Sequence, residues 1–145
     1  MQDLPHHYKV NASSEIDGNV ALKADDLPQI ITAPPAEFGG PGDQWSPETL
    51  LVGAIADCFV LTFRAIAKAS KLDWKNLECS AEGVLDRVDK VTRFTTVKVT
   101  ARLTVPAGTN VDKAQRLMEK SEAVCLVTRS MLVEAHLDAE VIVSD

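Results

Sequence analysis

The stretch SPETLLVGAIADCFVLTFRAIAKAS, residues 46–70, decides the fold of this chain. Ser46 stands before a proline and an acidic residue, an order typical of a helix start with serine as the N-cap. Apolar and small residues then recur at three- and four-residue steps: Leu51, Ala54, Ile55, Cys58, Leu61, Thr62, Ala65, Ile66 and Ala69. Little of the first four turns is charged except Asp57. We therefore predict one helix of roughly 25 residues that is buried over most of its circumference.

Strand patterns lie on both sides of this helix. They cover six segments: residues 8–14, 19–24, 29–32, 77–88, 92–105 and 134–143. The first two are separated by a turn that contains Asp17-Gly18, and the fourth and fifth are joined at Asp89-Lys90, so each pair is predicted to form a hairpin. Residue 110 is an asparagine, a residue suited to cap a second helix over 111–124.

The order of elements gives the fold class. A short helical piece over residues 127–132 is predicted to follow the second helix and to precede the last strand. Strands, a long helix, strands, a helix and a strand make an α+β chain, with the helices packed on antiparallel sheets instead of a βαβ repeat. No repeat or low-complexity tract divides the sequence, so we predict a single domain over residues 1–145.

A glycine-rich loop leads into the long helix. It contains Gly39-Gly40-Pro41-Gly42, and it also carries two aromatic residues, Phe38 and Trp45. Glycine and proline at this density indicate tight turns. Because the aromatic side chains can anchor it or form part of a pocket wall, we interpret the segment as a structured loop and not as a linker.

Composition limits the possible functions. The chain has 145 residues, a net charge of −6, 46% hydrophobic and 25% charged residues. This charge argues against nucleic acid or an anionic membrane as the main partner. No run is expected to reach the roughly 18 apolar residues of a membrane span, and the N-terminal residues lack an apolar signal core. Three cysteines, an odd number, do not form a secreted disulfide framework, so a reduced cytoplasmic setting is expected.

The three cysteines are the candidate reactive groups. Cys79 lies in a predicted strand beside Glu78 and Ser80, where nothing nearby suggests activation, and a structural role is expected. Cys58 and Cys125 each follow an apolar stretch, in a helix or at its end. A cysteine on an apolar helix face is most often a small hydrophobe, so the residues alone leave both interpretations open. The spacings fit no metal-ligand pattern, and neither a metal nor a cofactor is predicted.

Two motifs in the sequence resemble those of a known family. The pattern G-G-P-G-D-x-W-S-P-E-x-L-L-x-x-A-x-A-x-C-F runs from Gly39 to Phe59, and a second element, EAVCLVTRS, covers residues 122–130. Together they resemble the two cysteine segments of the OsmC/Ohr superfamily (osmotically inducible protein C and organic hydroperoxide resistance proteins). Glu48 and Cys58 keep the ten-residue spacing of that family. The order of elements matches too, so the resemblance covers nearly the whole chain.

The resemblance implies an intertwined homodimer with two long helices at its centre, and thiol-dependent reduction of organic hydroperoxides. Cys58 would attack the peroxide and become a sulfenic acid, and Cys125 would condense with it to a disulfide that an external dithiol reduces. In the family a loop arginine, held by the glutamate that corresponds to Glu48, activates the first cysteine. Glu48, Cys58 and Cys125 are therefore the predicted catalytic residues.

The sequence departs from the family pattern at that arginine. No arginine precedes Arg64, and residues 33–36 read Ala-Pro-Pro-Ala where one would be expected. Glu48 is either an ordinary first-turn acid or part of a thiol site. Ten helical residues place it about 15 Å along the axis from Cys58, so a partner subunit's site is the better geometry. The missing arginine keeps a second interpretation open, in which the fold has lost or altered the peroxidase and binds an apolar ligand or senses thiol redox state.

Overall fold

The computed structural model describes residues 1–145, and contacts group the chain into two compact units, Met1–Leu50 and Leu51–Asp145. The first unit holds a three-stranded antiparallel sheet of β1 (Asn11–Ser13), β2 (Val20–Lys23) and β3 (Ile30–Thr32), in that order. These strands confirm the three that were predicted before the long helix, each shorter than the sequence pattern suggested. The organisation as a single domain stays a prediction.

Backbone hydrogen bonds hold the glycine-rich loop of the first unit. A short 3-10 turn covers Ala36–Phe38, and the Gly40 N–H donates to the Pro35 carbonyl at 3.0 Å. Gly40 has no room for a side chain, because a Cβ there would overlap the Pro34 carbonyl. The prediction that aromatic side chains anchor this loop is wrong, since Phe38 is 58% and Trp45 55% exposed. The loop is ordered by its backbone, which sequence patterns of apolar residues do not report.

Helix α1 (Pro47–Ala69) confirms the predicted long helix. The Thr49 N–H donates to Ser46 Oγ at 3.2 Å, and the Ser46 N–H donates to Thr49 Oγ1 at 2.8 Å. This reciprocal pair is a capping box with threonine in the position that glutamate often takes, so Ser46 is the N-cap as predicted.

Burial of α1 differs from the prediction. Its fully buried residues, Ile55, Phe59, Phe63 and Ala67, repeat every four residues and form one face only. An 18-residue window of the helix has a mean hydropathy of 1.9, but only 22% of that window is buried. By length and composition α1 is apolar enough to cross a membrane, contrary to the sequence expectation, although core helices of water-soluble proteins meet the same criterion.

The second unit contains a mixed three-stranded sheet in the order β4 (Asn76–Val88), β5 (Val91–Pro106), β6 (Ala135–Ser144). Strands β4 and β5 form the predicted antiparallel hairpin, and both turn residues, Asp89 and Lys90, have positive φ. Strand β6 runs parallel to β5. The α+β class is confirmed, but this pairing is not the antiparallel one that was predicted. The helical connection between the two strands is long enough for a crossover, which parallel neighbours require.

That connection consists of α2 (Val111–Ala123) and α3 (Leu126–Arg129). Asn110 caps α2 as predicted, with its Oδ1 accepting from the Lys113 N–H at 2.9 Å. The buried face of α1 and residues of α2 pack with the inward side of the sheet to form one core; its sheet members are Val97, Val99, Ala101, Leu103 and Val105. Cys125, between α2 and α3, is also buried.

Candidate active site

Two of the predicted catalytic residues lie together in the second unit. Cys58 is half-buried on α1, next to Phe59, whose buried ring fixes the rotation of the helix. Cys125 is 1% exposed and stands at the N-cap of α3. Both are free thiols, and each is among the groups that shift the pKa of the other. The fold therefore brings together, within one chain, two cysteines that are 67 positions apart in the sequence (125 − 58).

Hydrogen bonds favour the thiolate at Cys58. Burial raises the pKa of this thiol, but hydrogen bonds from the Cys125 thiol, the Val127 N–H, the Thr62 hydroxyl and the Leu126 N–H lower it, and their sum prevails. The Thr62 contact spans 3.9 Å between Cys58 Sγ and Thr62 Oγ1. The net direction of the pKa is downward, so Cys58 is more acidic than an ordinary thiol.

The pKa of Cys125 is shifted in the opposite direction. Its pKa is raised by burial and by the hydrogen bond and charge of Cys58, while the Thr128 N–H and hydroxyl lower it by less. Within the pair, the proton therefore stays on Cys125 and the negative charge develops on Cys58. Since the thiolate is the nucleophilic form, Cys58 is the more nucleophilic thiol of the two.

The third cysteine is kept neutral. Cys79 lies on β4 among the residues that pack against the core. Burial, followed by the charge of Cys125, raises the pKa of Cys79 to about 11. A thiol with this pKa carries almost no thiolate at neutral pH, which agrees with the structural role expected from its sequence context.

Glu48 presents an unsatisfied carboxylate. Its Oε2 atom is buried and has no hydrogen-bond partner. Glu48 is not among the groups that shift the pKa of Cys58, and no arginine is among them either. Arg64 on α1 and Arg129 on α3 are both exposed.

Sequence reasoning missed the groups that activate Cys58. Thr62 follows Cys58 by four residues, so its place on the same helix face could have been read from the sequence. The backbone N–H groups of Leu126 and Val127 could not, because their approach to Cys58 depends on tertiary packing. No group of three or more His, Cys, Asp or Glu side chains is placed to hold a metal ion.

This is an α+β chain in which the long apolar helix carries a half-buried thiol, and a second thiol beyond another helix shifts its pKa. These features define a protein with a paired-cysteine site. The match to known proteins is more specific. This chain belongs to the family of OsmC-like proteins, which matches it over residues 40–140. The resemblance noted in the sequence is thereby confirmed.

Individual relatives agree with this assignment. The chain is 32% identical to the uncharacterized protein YmaD of Bacillus subtilis (strain 168), over 94% of this chain and 95% of YmaD. Its structure is similar to that of an OsmC-like protein of unknown function from Vibrio cholerae O1 biovar eltor str. N16961, with a TM-score of 0.83, 16% identity and coverage of 95% and 100% of the two chains. An organic hydroperoxide resistance protein OsmC from Legionella pneumophila gives a TM-score of 0.70 at 24% identity, with coverage of 99% and 100%.

Proposed function

We propose that this protein is a thiol-dependent peroxidase that reduces organic hydroperoxides, with Cys58 as the peroxidatic and Cys125 as the resolving cysteine. The observation that carries the proposal is a pair of thiols that act on each other and whose pKa values are shifted in opposite directions. Cys58 is half-buried and has a lowered pKa, whereas Cys125 is buried and has a raised pKa. Family membership supports the substrate class, since a structural neighbour from Legionella pneumophila is named an organic hydroperoxide resistance protein.

In the first step the Cys58 thiolate attacks the outer oxygen of the hydroperoxide ROOH. An S–O bond forms, the O–O bond breaks, and the alkoxide leaves and takes up a proton to give the alcohol ROH. Cys58 is oxidised by two electrons to a sulfenic acid, and the peroxide is reduced by the same two electrons. The N–H groups of Leu126 and Val127 stabilise the attacking sulfur before this step.

The second step is favoured because the first step removes the negative charge of Cys58. While Cys58 is anionic, its charge is one of the influences that raise the pKa of Cys125, after burial and the hydrogen bond between the thiols. Oxidation of Cys58 to the neutral sulfenic acid removes that charge, so Cys125 loses its proton more easily. Its sulfur then attacks Cys58, a disulfide forms and water leaves. An external dithiol returns both thiols by exchange and becomes a disulfide itself.

Glu48 and the uncovered faces of α1 lead to the second part of the proposal, a homodimer. Leu61 on α1 is 51% exposed in a helix whose composition suits a core. We propose that a second copy covers this surface, and that a donor from that copy satisfies the buried Glu48 oxygen and makes Glu48 part of the complete site. A reduced compartment, the cytoplasm, suits the three free thiols.

A second candidate function rests on the missing arginine. Because only neutral groups activate Cys58, the fold could instead bind an apolar ligand or sense thiol redox state. Such a protein would form the same disulfide without turning over alkyl peroxides.

Consumption of cumene hydroperoxide and of hydrogen peroxide, with a dithiol present, separates these functions. We expect wild type to consume the organic peroxide faster, Cys58→Ser to be inactive, and Cys79→Ser, the matched control, to behave as wild type. Peptide mapping after mild oxidation should show a bond between Cys58 and Cys125 within one chain, with Cys79 free. Disulfide formation without consumption of any alkyl peroxide would reject the peroxidase in favour of the sensor, and unreacted thiols would favour the ligand binder.

A further inference from the structure

We infer that Thr62 is a positioning residue of this thiol site, whose hydroxyl orients Cys58 Sγ and donates a hydrogen bond to it as negative charge develops. The inference rests on the proposed role of Cys58 as the nucleophile. Thr62, a neutral side chain of the same helix, would then supply part of the thiol activation for which the chain has no arginine.

The geometry of α1 supports this role. Thr62 follows Cys58 by four residues, so the two side chains lie on one helix face one turn apart. Their Sγ and Oγ1 atoms are 3.9 Å apart, within hydrogen-bonding range for sulfur. Thr62 is half-buried, which limits competition from water for its hydroxyl.

The hydroxyl of Thr62 is also free of its usual helical partner. In helices, serine and threonine hydroxyls often bond to the carbonyl four residues earlier. Two other residues of this chain do so: Ser121 Oγ donates to the Leu117 carbonyl at 2.6 Å, and Ser130 Oγ donates to the Leu126 carbonyl at 2.7 Å. Thr62 makes no such bond, and its one side-chain partner is Cys58 Sγ.

Few other groups can tune Cys58. Around the α2–α3 junction the titratable groups are Glu122, Cys125 and Arg129, and of these Cys125 alone acts on the sulfur of Cys58. Among the inward-facing residues of β4, β5 and β6 the titratable group is Cys79, which does not act on it. On α1 itself the charged neighbours Asp57 and Arg64 are exposed and are not among the groups that act on the sulfur. Cys125 is consumed in the proposed reaction, so Thr62 is the side-chain donor that stays unchanged throughout the cycle.

Two variants separate the hydroxyl from the shape of the side chain. Thr62→Val keeps the shape and removes the donor, whereas Thr62→Ser keeps the donor. The measurement is the pH profile of Cys58 alkylation by iodoacetamide in the full chain, with the modified peptide quantified by mass spectrometry. We expect the midpoint to move to higher pH in Thr62→Val, with alkylation about three- to tenfold slower at neutral pH, and to stay at the wild-type position in Thr62→Ser.

Each outcome decides the inference. Profiles that coincide for wild type and Thr62→Val would overturn it, and so would an equal shift in Thr62→Ser, which would indicate a packing effect. Peroxide consumption by Thr62→Val should be slow at neutral pH and recover as the pH rises. A shifted alkylation profile in a protein that consumes no peroxide would retain the role of Thr62 and reject the proposed peroxidase.

Discussion

The neutral state of Cys79 predicts how the stability of the protein depends on alkaline pH. The pKa of Cys79 is raised from its ordinary value of 9.0 to about 11, by burial first and by the charge of Cys125 second. Between these two values the unfolded chain has lost the proton of this thiol while the folded chain still holds it. The unfolded state binds fewer protons, so the free energy of unfolding falls as the pH rises through this window.

The size of the effect follows from the two pKa values. They differ by about 2, and each pKa unit corresponds to about 1.36 kcal/mol, so the full loss is at most about 2.7 kcal/mol. Cys79 is only partly buried, and solvent screening reduces this value. We expect the titration of Cys79 to lower the free energy of unfolding by about 1 to 2 kcal/mol by about pH 10.5, and to change it very little below about pH 8.

Urea unfolding of wild type and Cys79→Ala, under reducing conditions, measures this contribution. Alanine removes the titration, and its packing cost is the same at both pH values, so it cancels when the two proteins are compared at about pH 8 and about pH 10.5. Wild type should lose about 1 to 2 kcal/mol more than the variant over this interval. Equal losses would refute the reasoning, because they would mean that Cys79 titrates alike in both states.

Two further predictions concern the loop and the assembly. Gly40→Ala should lower the free energy of unfolding by about 3 kcal/mol or more, because its Cβ would overlap the Pro34 carbonyl. Gly39→Ala, in open space at positive φ, should lower it by about 1 to 2 kcal/mol. Equal urea midpoints for the two variants would contradict this prediction. Light scattering at micromolar concentration should give a dimer for wild type, and Leu61→Asp should weaken it; a folded wild-type monomer would contradict the proposed cover of α1.

Much of the fold could be predicted because its signals are local. The helix start at Ser46, the turn at Asp89-Lys90 and the cap at Asn110 depend on a few neighbouring residues, and the structure has each of them where the sequence placed it. The direction of β6 could not be predicted in this way. An inward-facing strand shows the same alternation whether its neighbour is parallel or antiparallel, so the pairing depends on the path of α2 and α3.

The candidate site, like the fold, could be predicted from the sequence only in part. The resemblance to the family motifs singled out Cys58 and Cys125, and the fold places them where each shifts the pKa of the other. The resemblance also showed that the arginine expected from the family is absent, which left Cys58 without a predicted activating group. Backbone N–H groups at the start of α3 and the Thr62 hydroxyl favour the thiolate instead, although burial opposes it. Such donors carry no net charge, so they stabilise the anion without adding a second charged group that would itself have to be buried. The acidity of Cys58 therefore depends on how closely the start of α3 packs against α1. A substitution that loosens the α2–α3 junction would raise the pKa of Cys58 even if it replaced no reactive residue.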